Sequence, residues 1–437
     1  MSDVLRHRAV RDAAWVEPAT VAAGLAVDGG DGLLALVSDG ASGERWSHVA
    51  TQPDRVQVGP VKGAALFDPL RDPAFAAGTV GLAAYDPGAR PATGRRETVW
   101  PDLMLARYPA MLTFDHQARR VQAIGRGATV ARAEAAADRA LGWLTTARPL
   151  AMPAPPAEVF QAEAPAAAYR AAVADVVDRI AAGELFQANV ARAWSGRLRP
   201  EADPFDVFVR LQQTRASPFG AYWRIGDRAL ASNSPELFLS FKGASRRIEA
   251  RPIKGTRPRD ADPARDAALA GDLVASPKDR AENLMIVDLM RNDLARASEP
   301  GSVRVERLFA VERHPTVHHL VSTVTATARK GVGAAELMEA TFPPGSITGA
   351  PKHQAMKVIA DHEPPRGPWC GSLFLIGEGG DLTASVLIRT AGFERADGLW
   401  RYRSLAGAGI VADSDPAAEE AETDVKISAM REALIGR

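Results

Sequence analysis

Four carboxylates stand in two short runs far apart in the chain. SPKDRAENLMIVDLMRNDL, Ser276 to Leu294, carries Asp279 and Glu282 three residues apart. EEAETDVKI, near the C-terminus, carries Glu419, Glu422 and Lys426 at spacings of three and four. On helices, each set shares one face. Alone, the first reads as a cap and a solvated acid, and the second as a surface ion-pair ladder. If the two helices face one another, the acids make half-sites for Mg2+. That ion takes oxygen ligands, keeps several waters and suits a substrate carboxylate.

Other residues gain meaning only in company. Lys254 stands among Arg251, Arg257 and Arg259 in IEARPIKGTRPR. Burial and neighbouring cations would lower its pKa and free a nucleophilic amine; a solvated basic strand end is the plainer reading. Glu236, in ASNSPELFL, leads into an apolar strand and could be a raised-pKa acid or a turn cap. HPTVHHLVS offers His314, His318 and His319. Adjacent strand residues point to opposite faces, so His318 and His319 cannot both serve one cleft. Gly407 and Gly409 in LAGAGIV permit a bend that could cradle an anion, or a bulge. PPGSITGAPKHQAM reads as a glycine-rich loop entering a helix, but it lacks the GxxxxGK[ST] phosphate loop.

The elements that must position these groups are partly legible. Ser276, Pro277 and Asp279 have the capping-box grammar of a helix start. Leu284, Val287 and Leu294 are expected on its buried side. GAYWRI, RALAS, ELFLSF and RRIEARPI read as successive strands, as do GSLFLIG, LTASVLIRT and LWRYRSLAGAG. Asp397-Gly398 reads as the turn between the last two. Val173, Val176, Val177 and Ile180 follow helical spacing. Short strands on short turns imply antiparallel sheets and disfavour a regular strand–helix alternation. Residues 151–165, within a Pro/Ala-rich stretch, read as a linker between an N-terminal region, 1–150, and a second part, 166–437.

The 437 residues contain equal numbers of basic and acidic side chains, 53 each. Zero net charge gives no global attraction to nucleic acid or to an anionic membrane. No run approaches the ~20 apolar residues of a membrane span, and no leader-type stretch opens the chain, so a cytoplasmic location is expected. The sole cysteine, Cys370, excludes an intrachain disulfide and a cysteine-based zinc site.

In this order, FQANV, SNSPELFL, RPIKGTRPR, RAENLMIVDLMRNDL, HHLVS, GSITGAPK, WCGS, VLIRT, GAG and EEAETDVK resemble the chorismate-utilising enzymes, over roughly residues 165–437. The resemblance implies an α+β fold: antiparallel β-sheets packed as a sandwich with helices on the outside. It implies Mg2+, with Glu282 and Glu422 as direct ligands and Asp279 and Glu419 as outer carboxylates. Gly407, Gly409 and Lys426 match positions that contact substrate carboxylates, and Arg389 matches an arginine gripping the enolpyruvyl carboxylate. Trp369 stands where relatives often have Tyr. Ser346, Gly255 and Thr256 line the ring site, and His319 matches the active-site histidine. Gln187 stands where water-using members carry lysine, which implies ammonia as nucleophile. Lys254, where anthranilate synthases typically have Ala, resembles the lysine of aminodeoxychorismate synthases. The implied reaction makes 4-amino-4-deoxychorismate for 4-aminobenzoate and folate synthesis. Lys254 would be the nucleophile, Glu236 the acid, and a glutamine amidotransferase subunit the ammonia source. The competing readings are anthranilate synthase component I and a non-catalytic subunit that binds an aromatic ligand. In some relatives the N-terminal part holds a regulatory aromatic amino acid.

Overall fold

A computed structural model describes residues 4–27, 30–40, 44–61, 65–314 and 317–436. Two antiparallel sheets organise it. Twelve strands form one, from His7–Ala14 at one edge to Gln187–Arg197 and Gly349–Ala350 at the other. Ten strands form the second, with Ile253–Pro258 at one edge and Arg55–Gly59 at the other. Their facing side chains merge into one apolar cluster: Val80, Leu82 and Ala106 of the ten-stranded sheet lie with Leu34, Trp223 and Leu230 of the twelve-stranded one. Strands such as Thr79–Ala83 are buried on both faces. Helices cover the outer sides: Val130–Trp143 packs on Arg120–Gly127, and Pro277–Ala295 on Val317–Thr327. The expected α+β sandwich is the fold observed.

The stretch 151–165 has little regular structure. It does not separate two cores. Leu34–Val37 pairs with Phe219–Ile225, and Thr79–Ala83 with Ser372–Ile376. Both sheets therefore draw strands from before and after it.

Most local expectations hold. Asp397 and Gly398 join Thr390–Ala396 to Leu399–Ile410 with φ of 54° and 79°, the left-handed pair of a tight hairpin. Ser276 caps Pro277–Ala295 by accepting from the Asp279 amide. The reciprocal half of the capping box is replaced, because the Asp279 carboxylate binds Arg257 at 2.9 Å. Leu284 departs from expectation and is exposed; Ile286, Val287, Met290 and Leu294 form the buried side. Among the described residues no helix is long and apolar enough to cross a membrane.

Candidate active site

Lys254 lies near the start of the edge strand Ile253–Pro258. Its register against Val317–Thr327 shifts between Ile253 and Thr256, which places Lys254 and Gly255 in a bulge. Bulges re-aim side chains and recur beside active sites. Gly255 takes φ 88°, and a β-carbon there would lie 2.9 Å from Asp279 Oδ1. The amine reaches across to the other sheet. A β-carbon built on Gly409 would sit 3.2 Å from Lys254 Nζ and 3.1 Å from Gln187 Nε2.

Neither a bend nor a bulge forms at Gly407–Gly409. Both glycines lie in the regular strand Leu399–Ile410, opposite Ala191 and Asn189. Continuous pairing keeps the backbone extended, and the missing side chains serve close approach. Gly409→Ala should displace the ends of Lys254 and Gln187 by a few tenths of an ångström. Since about 1 Å of misplacement costs on the order of 10²-fold, kcat should fall about tenfold. Steady-state kinetics beside an unchanged melting midpoint would check this.

Burial holds the Lys254 amine below its ordinary pKa. Glu282, Glu236 and Glu422 oppose that shift, while Lys426 adds to it. Glu236, only 5% exposed, is pushed up to about 7 by burial. The Ser346 hydroxyl, Lys254, the Ile253 amide and Arg389 pull it back. A carboxyl of that value holds a proton near neutrality, as a general acid requires. The site thus pairs an amine biased toward its neutral form with an acid biased toward its protonated form.

Around them stand unmatched polar groups. Both side-chain amide atoms of Gln187, Asn189 Oδ1 and Trp369 Nε1 are buried with no hydrogen-bond partner among the described residues. Arg389, at a left-handed φ of 50°, has a guanidinium that binds no side chain or carbonyl among the described residues. Its charge is felt by Glu236, His319 and His314. A half-buried, unpaired guanidinium favours an anion, which a forked donor holds in two bonds. His319 Nδ1 lies 2.9 Å from the Thr256 hydroxyl, and burial lowers it to about 3, so its ring is neutral near pH 7. His318 points to the other face and binds Asp266 at 2.7 Å.

The acids come together in part. The charges of Glu422 and Asp279 both raise Glu282 beyond the effect of burial. Glu422 binds Lys426 at 2.5 Å, and Lys426 Nζ also donates to the Gly407 carbonyl at 2.9 Å. Glu419 accepts from Ser414, and Asp279 from Arg257. Among the described residues no three Asp, Glu, His or Cys side chains gather tightly enough to hold a metal ion. Two facing carboxylates with hard oxygen donors nonetheless suit Mg2+, which usually takes one or two protein carboxylates and fills its octahedron with water and substrate.

Two contributors escaped the sequence reading. The exposed Lys278 lowers Glu282, Glu419 and Glu422. Asn189 shares a strand face with Gln187, a signal available from two-residue alternation.

The chorismate binding enzyme pattern matches residues 33–432. The chain belongs to that family. It is 41% identical over 363 residues to aminodeoxychorismate synthase component 1 of Klebsiella aerogenes, covering 81% of this chain and 76% of that one. It is also 40% identical over 337 residues to anthranilate synthase component 1 of Streptomyces coelicolor, covering 76% and 63%. The crystal structure of anthranilate synthase component I from Streptococcus pneumoniae superposes with a TM-score of 0.76 at 26% identity, over 88% of this chain and 92% of that one. Arg389 lies within the field of Glu236, and Lys426 within that of Lys254 and Glu422.

Proposed function

We propose that this chorismate binding enzyme is the ammonia-using component of an aminodeoxychorismate synthase, converting chorismate and ammonia to 4-amino-4-deoxychorismate. The observation that carries the reading is Lys254, its amine held low by burial and lying within the influence of Glu236 and Glu282. The neutral amine attacks C2 of the ring. The two conjugated ring double bonds shift, and the C4 hydroxyl leaves as water with the proton of Glu236. Ammonia then attacks C4, both double bonds shift back, and the C2–nitrogen bond to lysine breaks. Glu236 recovers a proton from the new ammonium. Arg389 holds one substrate carboxylate, while Lys426 contacts the other. Glu282 and Glu422 would hold Mg2+, which would supply positive charge against that carboxylate. Most of the rate enhancement is then positioning and electrostatics. The enolpyruvyl group stays in place, so a separate lyase must complete 4-aminobenzoate.

Ammonia must come from outside the chain. A glutamine-hydrolysing subunit needs an activated cysteine, and Cys370 is buried with its thiol pushed up by desolvation. A glutamine amidotransferase partner is part of the proposal.

Purified chain, chorismate, Mg2+ and ammonium chloride should give a product with the enolpyruvyl mass retained and hydroxyl replaced by amine. EDTA should stop its formation and excess Mg2+ restore it. Fluorescent anthranilate in its place would favour the alternative suggested by the Streptomyces coelicolor relative. No turnover under these conditions would leave only a ligand-binding subunit.

A further inference from the structure

Behind the cleft wall lies a fully buried ion pair. Arg366 is 1% exposed and Glu363 5%. Arg366 Nε and Nη2 donate to the two Glu363 oxygens at 2.8 and 2.9 Å. The guanidinium faces the rings of Tyr85 and Trp369 at 4.6 and 5.0 Å. The amides of Arg366 and Gly367 donate to Asp86, which anchors the segment.

The pair fills a gap in a sheet. Along its outer edge, Gln187–Arg197 pairs with Gly349–Ala350 at Gln187 and Ala188 and with Gln161–Ala162 at Trp194 and Ser195, and the Asn189 amide and Ala193 carbonyl bond Thr348 and Glu163. Between them, the Ala191 amide donates to Glu363 Oε1 at 2.7 Å, and the Asn189 carbonyl accepts from Arg366 Nη2 at 2.5 Å. Two side chains thus take the place of a strand. Arg366 Nη1 donates at 3.3 Å to the carbonyl of Ile347, the residue after Ser346. The Trp369 ring it faces lies 3.1 Å from a β-carbon built on Gly407.

We infer that Arg366, with Glu363, is a positioning residue that clamps the Ser346 loop to the Gln187 strand and so sets where Glu236 stands relative to the lysine amine. The inference rests on the amination reading for its rate consequence, but the clamp itself does not. Burying an ion pair is seldom the most stabilising use of two residues, since apolar replacements of like volume often match it. Here each charge satisfies a backbone group of the reacting walls. Ser346 lowers the Glu236 pKa, together with Lys254, the Ile253 amide and Arg389; the Cys370 thiol is the other titratable group in its field. Releasing Ile347 frees the adjacent Ser346 to move away from Glu236 and removes that influence. Losing it raises Glu236 further, and the alkaline limb of the rate profile moves to higher pH.

The test is the double variant Arg366→Met with Glu363→Gln, which leaves no buried charge unpaired. Expected results are a kcat lowered at least tenfold, a KM for chorismate within threefold, and an alkaline limb displaced upward by half a pH unit or more. Amide hydrogen exchange should quicken at least tenfold in 187–191 and 345–351 and stay unchanged in Thr79–Ala83. A folded double variant with wild-type exchange in those segments overturns the clamp. Faster exchange with an unmoved alkaline limb overturns its role in positioning Glu236. If the double variant does not fold, Glu363→Gln alone should show the same changes in smaller measure, and wild-type exchange and pH profile there also overturn the inference. An unmodified chain that makes no aminated product refutes the proposed reaction instead, while the exchange data still judge the clamp.

Discussion

Lys254→Ala should abolish amination, with a larger loss than any other single substitution in the cleft. Removing a general acid costs on the order of 10²–10⁴-fold. Removing the nucleophile removes the covalent path altogether and leaves direct attack of ammonia on an unactivated ring. The structural cost is small, because Lys254 stands on an edge strand inside an existing bulge. The variant's melting midpoint should therefore stay close to that of the unmodified chain. The covalent step has its own readout. With chorismate and Mg2+ but no ammonia, the unmodified chain should gain the mass of chorismate less water, and peptide mapping should place the adduct on Lys254. A Lys254→Ala variant that keeps full activity, with no adduct on the parent under any quench, would end the nucleophile assignment.

Glu236→Gln should lower kcat by about 10²–10⁴-fold, because the amide has no proton to give a departing hydroxyl. The alkaline limb near pH 7 should vanish from what activity remains. The same change should stabilise the fold at high pH. Glu236 titrates near its ordinary value of 4.5 when unfolded and at about 7 when folded. Its folded state prefers the proton, so stability from this group is complete below pH 4.5 and is lost as pH rises through 7. A neutral glutamine does not suffer that loss. At pH 8 the variant should gain on the order of 1–3 kcal/mol relative to the parent, and at about pH 4 the two should match. Denaturant melts at the two pH values test this. Equal stability under the alkaline condition would mean that Glu236 is solvated and ordinary, and its assignment as the acid would fall.

The sequence named the fold class and residues that come to lie together, but not the strand pairing that gathers them. Glu236, Lys254, Glu282, Arg389 and Glu422 were legible because ordered motifs resemble a family, and the chain brings all five into one electrostatic neighbourhood. What stayed hidden was long-range pairing. Nothing in LALV announces that Leu34–Val37 will lie beside Phe219–Ile225, since apolar strands satisfy many partners and the choice is made by the whole sheet. Gly407–Ala408–Gly409 read as a bend or a bulge because glycine frees the backbone, but pairing with Gln187–Arg197 overrode that freedom. Leu284 matched helical periodicity yet faces outward. Arg366 and Glu363 gave no signal, because two charges among prolines resemble a surface loop until the unpaired edge they complete is seen.

The order in which the strands are made has a consequence for synthesis. Leu399–Ile410 lies inside the twelve-stranded sheet, between Thr390–Ala396 and Gln187–Arg197. A ribosome releases it after every other described strand of that sheet. Until then Gln187–Arg197 lacks the neighbour it bonds along its full length, and earlier strands wait with apolar faces uncovered. Such non-local closure is slow, and its unfinished states are prone to self-association. Nascent chains stalled before residue 399 should therefore remain bound to holding chaperones, and completion of the C-terminal segment should release them.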